Sequence, residues 1–275
     1  MNVDKSEWQG AQGDSWANEW RRTDRSFGMV TEKLLGWTRG KKFGQILDIG
    51  CGAGELALAL ARGRRNARIL GVDISPALVA TARERGAHLT NANFDLADAA
   101  RWVPHSGFSP ELLISRHGVM FFDDPPAAFR NLSNIAHDDA QLLFSCFRSP
   151  AENPFFTEVM KLLPPSGNAP DPEAPGPFAF ARKERIEDIL TKGGWRQIVC
   201  EPIDFAMIVG GGADPVEDAV SYFSSIGPAA VVARSMSEPD RQEFLAKLRE
   251  LARANLDDGL VSMSAAGWIV TAKKA

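Results

Sequence analysis

Apolar positions along the chain come in two rhythms. Short, largely apolar runs at residues 45–49, 67–73, 111–115 and 141–148 read as strands, and residues 87–94 as a further short strand. Between them lie segments rich in helix formers: residues 55–62, then Pro76 to Gly86 behind the N-cap Ser75, 125–136, and 182–192 ending at Gly193-Gly194. This alternation is that of an α/β chain. Two further strands are predicted at 196–209 and 259–272, with helical segments at 215–225 and 228–255 between them. Ahead of the first strand, Trp16 and Trp20 stand four apart and Phe27, Val30, Leu34 and Leu35 follow at helical spacing, which predicts one or two amphipathic helices within residues 1–44. Six prolines and two glycines fall in residues 164–177, a loop that neither a helix nor a central strand can cross.

The chemistry concentrates where the first strand ends. Gln45-Ile46-Leu47-Asp48-Ile49-Gly50-Cys51-Gly52-Ala53-Gly54 passes from an apolar run through an acid into three glycines at alternate positions, and Glu55 opens the next helix. Glycines at such a handover accept positive φ and let a ligand reach bare backbone. A dinucleotide-binding loop would carry its third glycine at position 55, yet Glu55 stands there, and a carboxylate in the first helical turn repels a pyrophosphate while suiting the helix dipole. A ligand without phosphates fits better. The next strand ends in Asp73, 19 positions after Gly54, where a carboxylate can accept both hydroxyls of a ribose.

Asp48-Ile49-Gly50-Cys51-Gly52-Ala53-Gly54, followed by the second strand and its Asp73, resembles motif I and its sequel in class I S-adenosylmethionine-dependent methyltransferases. Ser115-Arg116-His117-Gly118-Val119-Met120-Phe121-Phe122-Asp123-Asp124-Pro125 is similar to the motif IV region of a bacterial small-molecule subgroup, like that of ubiquinone biosynthesis, and Trp8-x-Gly10-x-x-Gly13-x-x-Trp16 to its opening segment. The resemblance spans residues 8–148 well and the remainder loosely. It implies a Rossmann-like fold with a seven-stranded, mostly parallel sheet, helices on both faces, lid helices over residues 1–44, and a methyltransferase domain over 45–275 with cap insertions at about 150–182 and 210–257.

For S-adenosyl-L-methionine the resemblance implies these contacts: Asp48 to the methionine amino group, directly or through water; Gly50, Cys51, Gly52 and Gly54 around carboxylate and adenosine; Asp73 to the ribose; and Ile74 against adenine. Asp98 with Ala99 would meet the adenine amino group, with Asp95 as the rival acid, and Ser115 adds a contact at the end of the fourth strand. Trp16 is expected at the methionine end or the substrate, since an aromatic face suits a sulfonium. His117 is the candidate general base, as the one side chain of this region with a pKa suited to neutral pH; the competing reading has it packing beside the cofactor where relatives carry a plain aromatic. Phe147, Phe155, Phe156, Met207, Tyr222, Phe223 and Met236 are candidate walls for a hydrophobic or aromatic acceptor. No Asn-Pro-Pro-Tyr and no metal-binding acid set are present, so no metal is implied.

Composition narrows the partners. In 275 residues, 31 basic and 35 acidic side chains leave −4 with no basic tract, which argues against nucleic acid and for a small-molecule substrate. Cys51, Cys146 and Cys200 are too scattered for a disulfide frame or zinc site and suit a reducing, cytoplasmic setting. No signal peptide or membrane-length apolar run is read. Oligomeric state is open, with a homodimer as the candidate assembly. Two rival functions stand beside methyl transfer: a nicotinamide-dependent oxidoreductase, disfavoured by Glu55, and a non-methylating enzyme or binding module that keeps the cofactor structurally.

Overall fold

A computed structural model describes residues 5–164, 171 and 173–275. Eight strands, β1 (Gln45–Ile49), β2 (Arg68–Asp73), β3 (Ala92–Leu96), β4 (Leu112–Arg116), β5 (Gln141–Phe147), β6 (Trp195–Gly210), β7 (Leu256–Asp257) and β8 (Leu260–Lys274), form one sheet. Their order is β3-β2-β1-β4-β5-β8-β6, with the two-residue β7 paired to β8. The pairs β1–β2, β2–β3, β1–β4 and β4–β5 are parallel, and β8 runs antiparallel between β5 and β6. This is the Rossmann-like, mostly parallel sheet expected. The unbroken apolar runs of β1 and β4 follow from burial on both faces, since Ile46, Leu47, Leu112 and Leu113 are fully enclosed.

After β1 the chain builds outward through β2 and β3, then returns to place β4 on the other side of β1. The carboxyl ends of β1, β2 and β4 therefore open onto one crevice at the switch of strand order, the standard ligand position of open α/β sheets. The glycine loop, Asp73 and His117 all leave strands at that edge.

Several expected elements are re-cut. The described part of residues 1–44 holds four short helices, Lys5–Gln9, Ala11–Asn18, Trp20–Ser26 and Gly28–Thr38, because the backbone leaves helical geometry at Gly10 (φ −122°, ψ −134°), Glu19 and Phe27. The third strand starts at Ala92 instead of residue 87, since Ala87 and Leu89 donate backbone bonds to Glu84 and Gly86 and finish the preceding helix. The helical segment after 228 is split into Gly227–Arg234 and Glu238–Ala254, with Ser237 capping the second through Asp240 N and Pro239 at its start. Pro165, Pro170, Pro172 and Gly167 of the proline-rich stretch lie outside the described residues; beyond them Gly176 N donates to Met120 O and pins the returning chain beside the β4 exit.

The residues between β6 and β8 include helices Pro215–Ser225, Gly227–Arg234 and Glu238–Ala254, the first two of which line the same cavity as the N-terminal helices. The two groups are joined: Asp218 pairs with Arg22 (2.7 Å) and Arg25 (2.7 Å), and Tyr222 Oη meets Ser26 Oγ at 3.0 Å.

Candidate functional site

A cavity of about 260 Å³ opens at the carboxyl edge of the sheet, under the N-terminal and inserted helices. Two of the three loop glycines, Gly50 and Gly52, border it, and the three are glycine for different reasons. A Cβ on Gly50 would meet Gly118 Cα at 2.9 Å, and one on Gly54 would press on Ala82 and Phe94 at 3.1 Å, so both positions are fixed by packing. Gly52, at φ 53°, faces open space, and a side chain there would project into the cavity.

Two buried acids hold the loop. Asp48 Oδ2 accepts from Ala57 N at 3.0 Å, and burial pushes its pKa to about 7. Asp73 accepts from Gly52 N (2.8 Å) through Oδ2 and from Ser75 N (2.9 Å) through Oδ1, and burial raises its pKa against the pull of those backbone donors. A carboxylate has about four acceptor sites, so these donors leave capacity for a ligand. Of the two rival acids, Asp98 after β3 lines the cavity, while Asp95 within β3 does not and accepts from Trp102 Nε1 at 3.1 Å. Asp98 is bridged by Lys5 at 2.8 Å, and Lys5 also pairs with Asp123 at 2.7 Å, so the first helix straps this corner.

Trp16, Ile74, Cys51, Ala99 and His117 also border the cavity; Gly54 and Ser115 do not. Ser115 is enclosed, donating to Ile49 O (2.7 Å) and accepting from Gly118 N (3.1 Å), a brace between β1 and the turn after β4. Of the candidate walls, Phe147, Phe155, Phe156, Met207, Tyr222 and Phe223 line the cavity and Met236 does not.

His117 departs from expectation. Its ring is buried, with Phe147 edge-on at 4.3 Å and Phe27 at 5.1 Å between centroids. Burial first, and the Arg116 charge second, pull its pKa to about 3, so the imidazole is neutral at neutral pH instead of titrating there. The backbone is left-handed at φ 64°, which turns the ring back over the sheet toward Ser145, whose Oγ lies 2.7 Å from Nδ1.

Among the described residues, four buried side-chain polar atoms have no hydrogen-bond partner: Trp8 Nε1, Gln12 Oε1, Trp16 Nε1 and His117 Nε2. All four belong to residues that line this one cavity. An unpaired buried polar group costs about 1–3 kcal/mol, so their concentration here points to a ligand that pairs them.

The sequence reading missed what holds the N-terminal helices down. Asp24 takes Arg85 at 2.8 Å and Arg116 at 3.2 Å; Arg85 also reaches Glu55 (3.0 Å) and Ala53 O (2.7 Å) and lies over Trp20 at 3.7 Å from the ring centre. Burial raises the Asp24 pKa to about 6 against the pull of Arg116. Gly13 marks the other anchor, where a Cβ would fall 2.1 Å from Trp8 O and 2.3 Å from Ser75 Oγ. Only the Gly-x-x-Gly spacing hinted at this; partners 61 and 92 residues apart leave no local signal.

No described group of three or more His, Cys, Asp and Glu can hold a metal ion, and no described helix is long and apolar enough to cross a membrane.

Comparisons with known proteins agree with this geometry. Malonyl-[acyl-carrier protein] O-methyltransferase 1 of Ilyobacter polytropus is 28% identical over 164 residues, 59% of this chain and 58% of that protein. Trans-aconitate 2-methyltransferase of Delftia acidovorans is 45% identical over 77 residues, 28% of either chain. The matches thus span between about a quarter and three fifths of these relatives' own length. Phosphoethanolamine N-methyltransferase 2 of Haemonchus contortus, solved with S-adenosyl-L-methionine, superposes with a TM-score of 0.59 at 16% identity, covering 99% of this chain and 60% of that one, and shares the fold. A family model described as a methyltransferase domain matches residues 41–194, more than half of the chain, which therefore belongs to that methyltransferase family.

Proposed function

We propose that the protein transfers the methyl group of S-adenosyl-L-methionine to a small, apolar or aromatic acceptor. The carrying observation is one cavity whose lining combines two chemistries: Asp73 held beside the open Gly52, and a wall of Phe147, Phe155 and Phe156 in mutual contact.

The residues fit the cofactor. Asp73 has lone pairs left for a ribose diol, Gly52 leaves backbone bare, Asp98 and Ala99 border the adenine corner, Asp48 lies behind the loop, and the unpaired Trp8, Gln12 and Trp16 atoms supply two donors and an acceptor from above. When bound, the cofactor supplies a methyl group already activated by its sulfonium. The chain's part is to align the acceptor with that methyl and to exclude water, for which a lidded aromatic chamber suffices.

The apolar acceptor is supported by the charges present. The two cations of the lining are both engaged, Lys5 by Asp98 and Asp123, Arg116 by Asp24 and Thr31, so the protein offers an anionic acceptor no free counterion beyond the cofactor's own sulfonium.

Calorimetry with S-adenosylhomocysteine tests the cofactor site. Wild type is expected to bind and Asp73→Ala to bind at least about 100-fold more weakly, as the loss of two charge-assisted hydrogen bonds requires. Equal heats from the two proteins would overturn the reading, and NADH is the control for a dinucleotide.

A further inference from the structure

Ser145 and His117 form a buried pair that the proposed methyl transfer does not use. Ser145 Oγ lies 2.7 Å from His117 Nδ1, and among the described hydrogen bonds the hydroxyl has no other partner. His117 N also donates to Ser145 O at 3.2 Å, so main chain and side chain together fix the ring. Gly118, pressed against Gly50 at 2.9 Å from where its own Cβ would stand, prevents the turn from relaxing.

The pairing selects a tautomer. If Nδ1 carried the ring proton, Ser145 Oγ would accept, its own hydrogen would be buried without an acceptor, and Nε2 would hold an unpaired lone pair. If Ser145 donates to Nδ1, the hydroxyl hydrogen is satisfied and one orphan remains, the Nε2–H. The second arrangement leaves one polar group fewer unpaired, a difference that decides between tautomers of similar intrinsic stability. A doubly protonated ring is opposed by burial and by Arg116.

The remaining N–H belongs to the aromatic end of the cavity. The ring packs against Phe147, which in turn stacks on Phe155 (5.1 Å) and Phe178 (5.9 Å). A lone donor in an apolar wall selects ligands with an oxygen at that spot and penalises those without one.

Resting on the methyltransferase reading, we infer that Ser145 locks His117 as the Nε2–H tautomer, and that this N–H is a specificity-determining hydrogen-bond donor to a neutral oxygen, such as a ketone carbonyl, on an aromatic acceptor. His117 is then a reader of the acceptor and not its base, and Ser145 is a positioning residue.

Two measurements on the S-adenosylhomocysteine-loaded protein test this. In long-range proton–nitrogen spectra of ¹⁵N-histidine-labelled protein, His117, assigned by its loss in His117→Phe, should show a pyridine-type Nδ1 and a pyrrole-type Nε2 at neutral pH. Ser145→Ala should blur that into a tautomer mixture and Ser145→Thr, which keeps the hydroxyl, should restore it. A protonated Nδ1 in wild type, or no change in Ser145→Ala, overturns the lock. Acetophenone and ethylbenzene, alike in shape but for one carbonyl oxygen, then probe the donor by calorimetry. Wild type should prefer the ketone about tenfold, the value of one hydrogen bond, and His117→Phe should lose the preference. Equal affinity in wild type, or binding of neither probe, overturns the donor role. Failure of wild type to take up S-adenosylhomocysteine would instead bring down the methyltransferase reading itself.

Discussion

Asp48 and His117 show how burial reverses ordinary titration at single residues. Asp48 is raised to about 7 and His117 lowered to about 3, both first by loss of solvent. The linkage signs are opposite. Asp48 ionises at about 4 in the unfolded chain, so folding stability is lost as pH rises from about 4 to 7, by up to about 1.4 kcal/mol per pH unit. His117 charges at about 6.5 when unfolded, so stability is lost as pH falls below that value, with the same limiting slope. The two trends offset each other between about pH 4 and 6.5. Urea unfolding over that range should show Asp48→Asn gaining on wild type as pH rises and His117→Phe gaining as pH falls; curves parallel to wild type would refute the burial account. Much of the cavity lining was legible, because Asp48, Gly50 and Gly52 stand at fixed offsets along β1 and its loop and Asp73 at the end of β2. Their ionisation was not, since it depends on what covers them.

At the scale of elements, the decisive feature is how the N-terminal helices are seated. Helix Ala11–Asn18 crosses the start of helix Pro76–Gly86 at Gly13, and Gly13→Ala places a methyl group within 2.3 Å of Ser75 Oγ and 2.1 Å of Trp8 O. We expect that variant to lose about 1–3 kcal/mol, as overpacking does, and at least tenfold in S-adenosylhomocysteine affinity, with tryptophan emission shifted toward that of exposed indole. Unaltered affinity would show that these helices do not serve the cofactor. Asp24→Ala leaves Arg85 and Arg116 without their shared carboxylate; breaking a largely buried pair costs about 3 kcal/mol, readable as a shift in unfolding midpoint. Periodicity foresaw helices here but not their division into four, because the breaks at Gly10, Glu19 and Phe27 answer to the surface underneath.

For the whole molecule, the sheet, the N-terminal helices and the insertion between β6 and β8 enclose a chamber whose cations are all spoken for among the described residues of its lining. Desolvating an unpaired carboxylate costs several kcal/mol. Release of S-adenosylhomocysteine should therefore be at least about 100-fold faster with an aromatic ketone bearing a free hydroxyl than with trans-aconitate. Comparable rates would show that a counterion is recruited from elsewhere. Three helices lie between β6 and β8, yet the two strands pair along nearly their whole length.

The sequence by itself determined the α/β alternation, the strand-to-glycine-to-helix turn, the acid ending the second strand and the aromatic residues available for a wall, since each is set by short-range geometry and spacing. Only the tertiary structure decided that Asp98 and not Asp95 reaches the cavity, that Ser115 braces a turn, that Asp24 clamps two arginines, and that His117 is a neutral ring turned to Ser145. Those outcomes depend on desolvation and on contacts between residues remote in the chain, which become defined only when the sheet brings its strand ends to one edge.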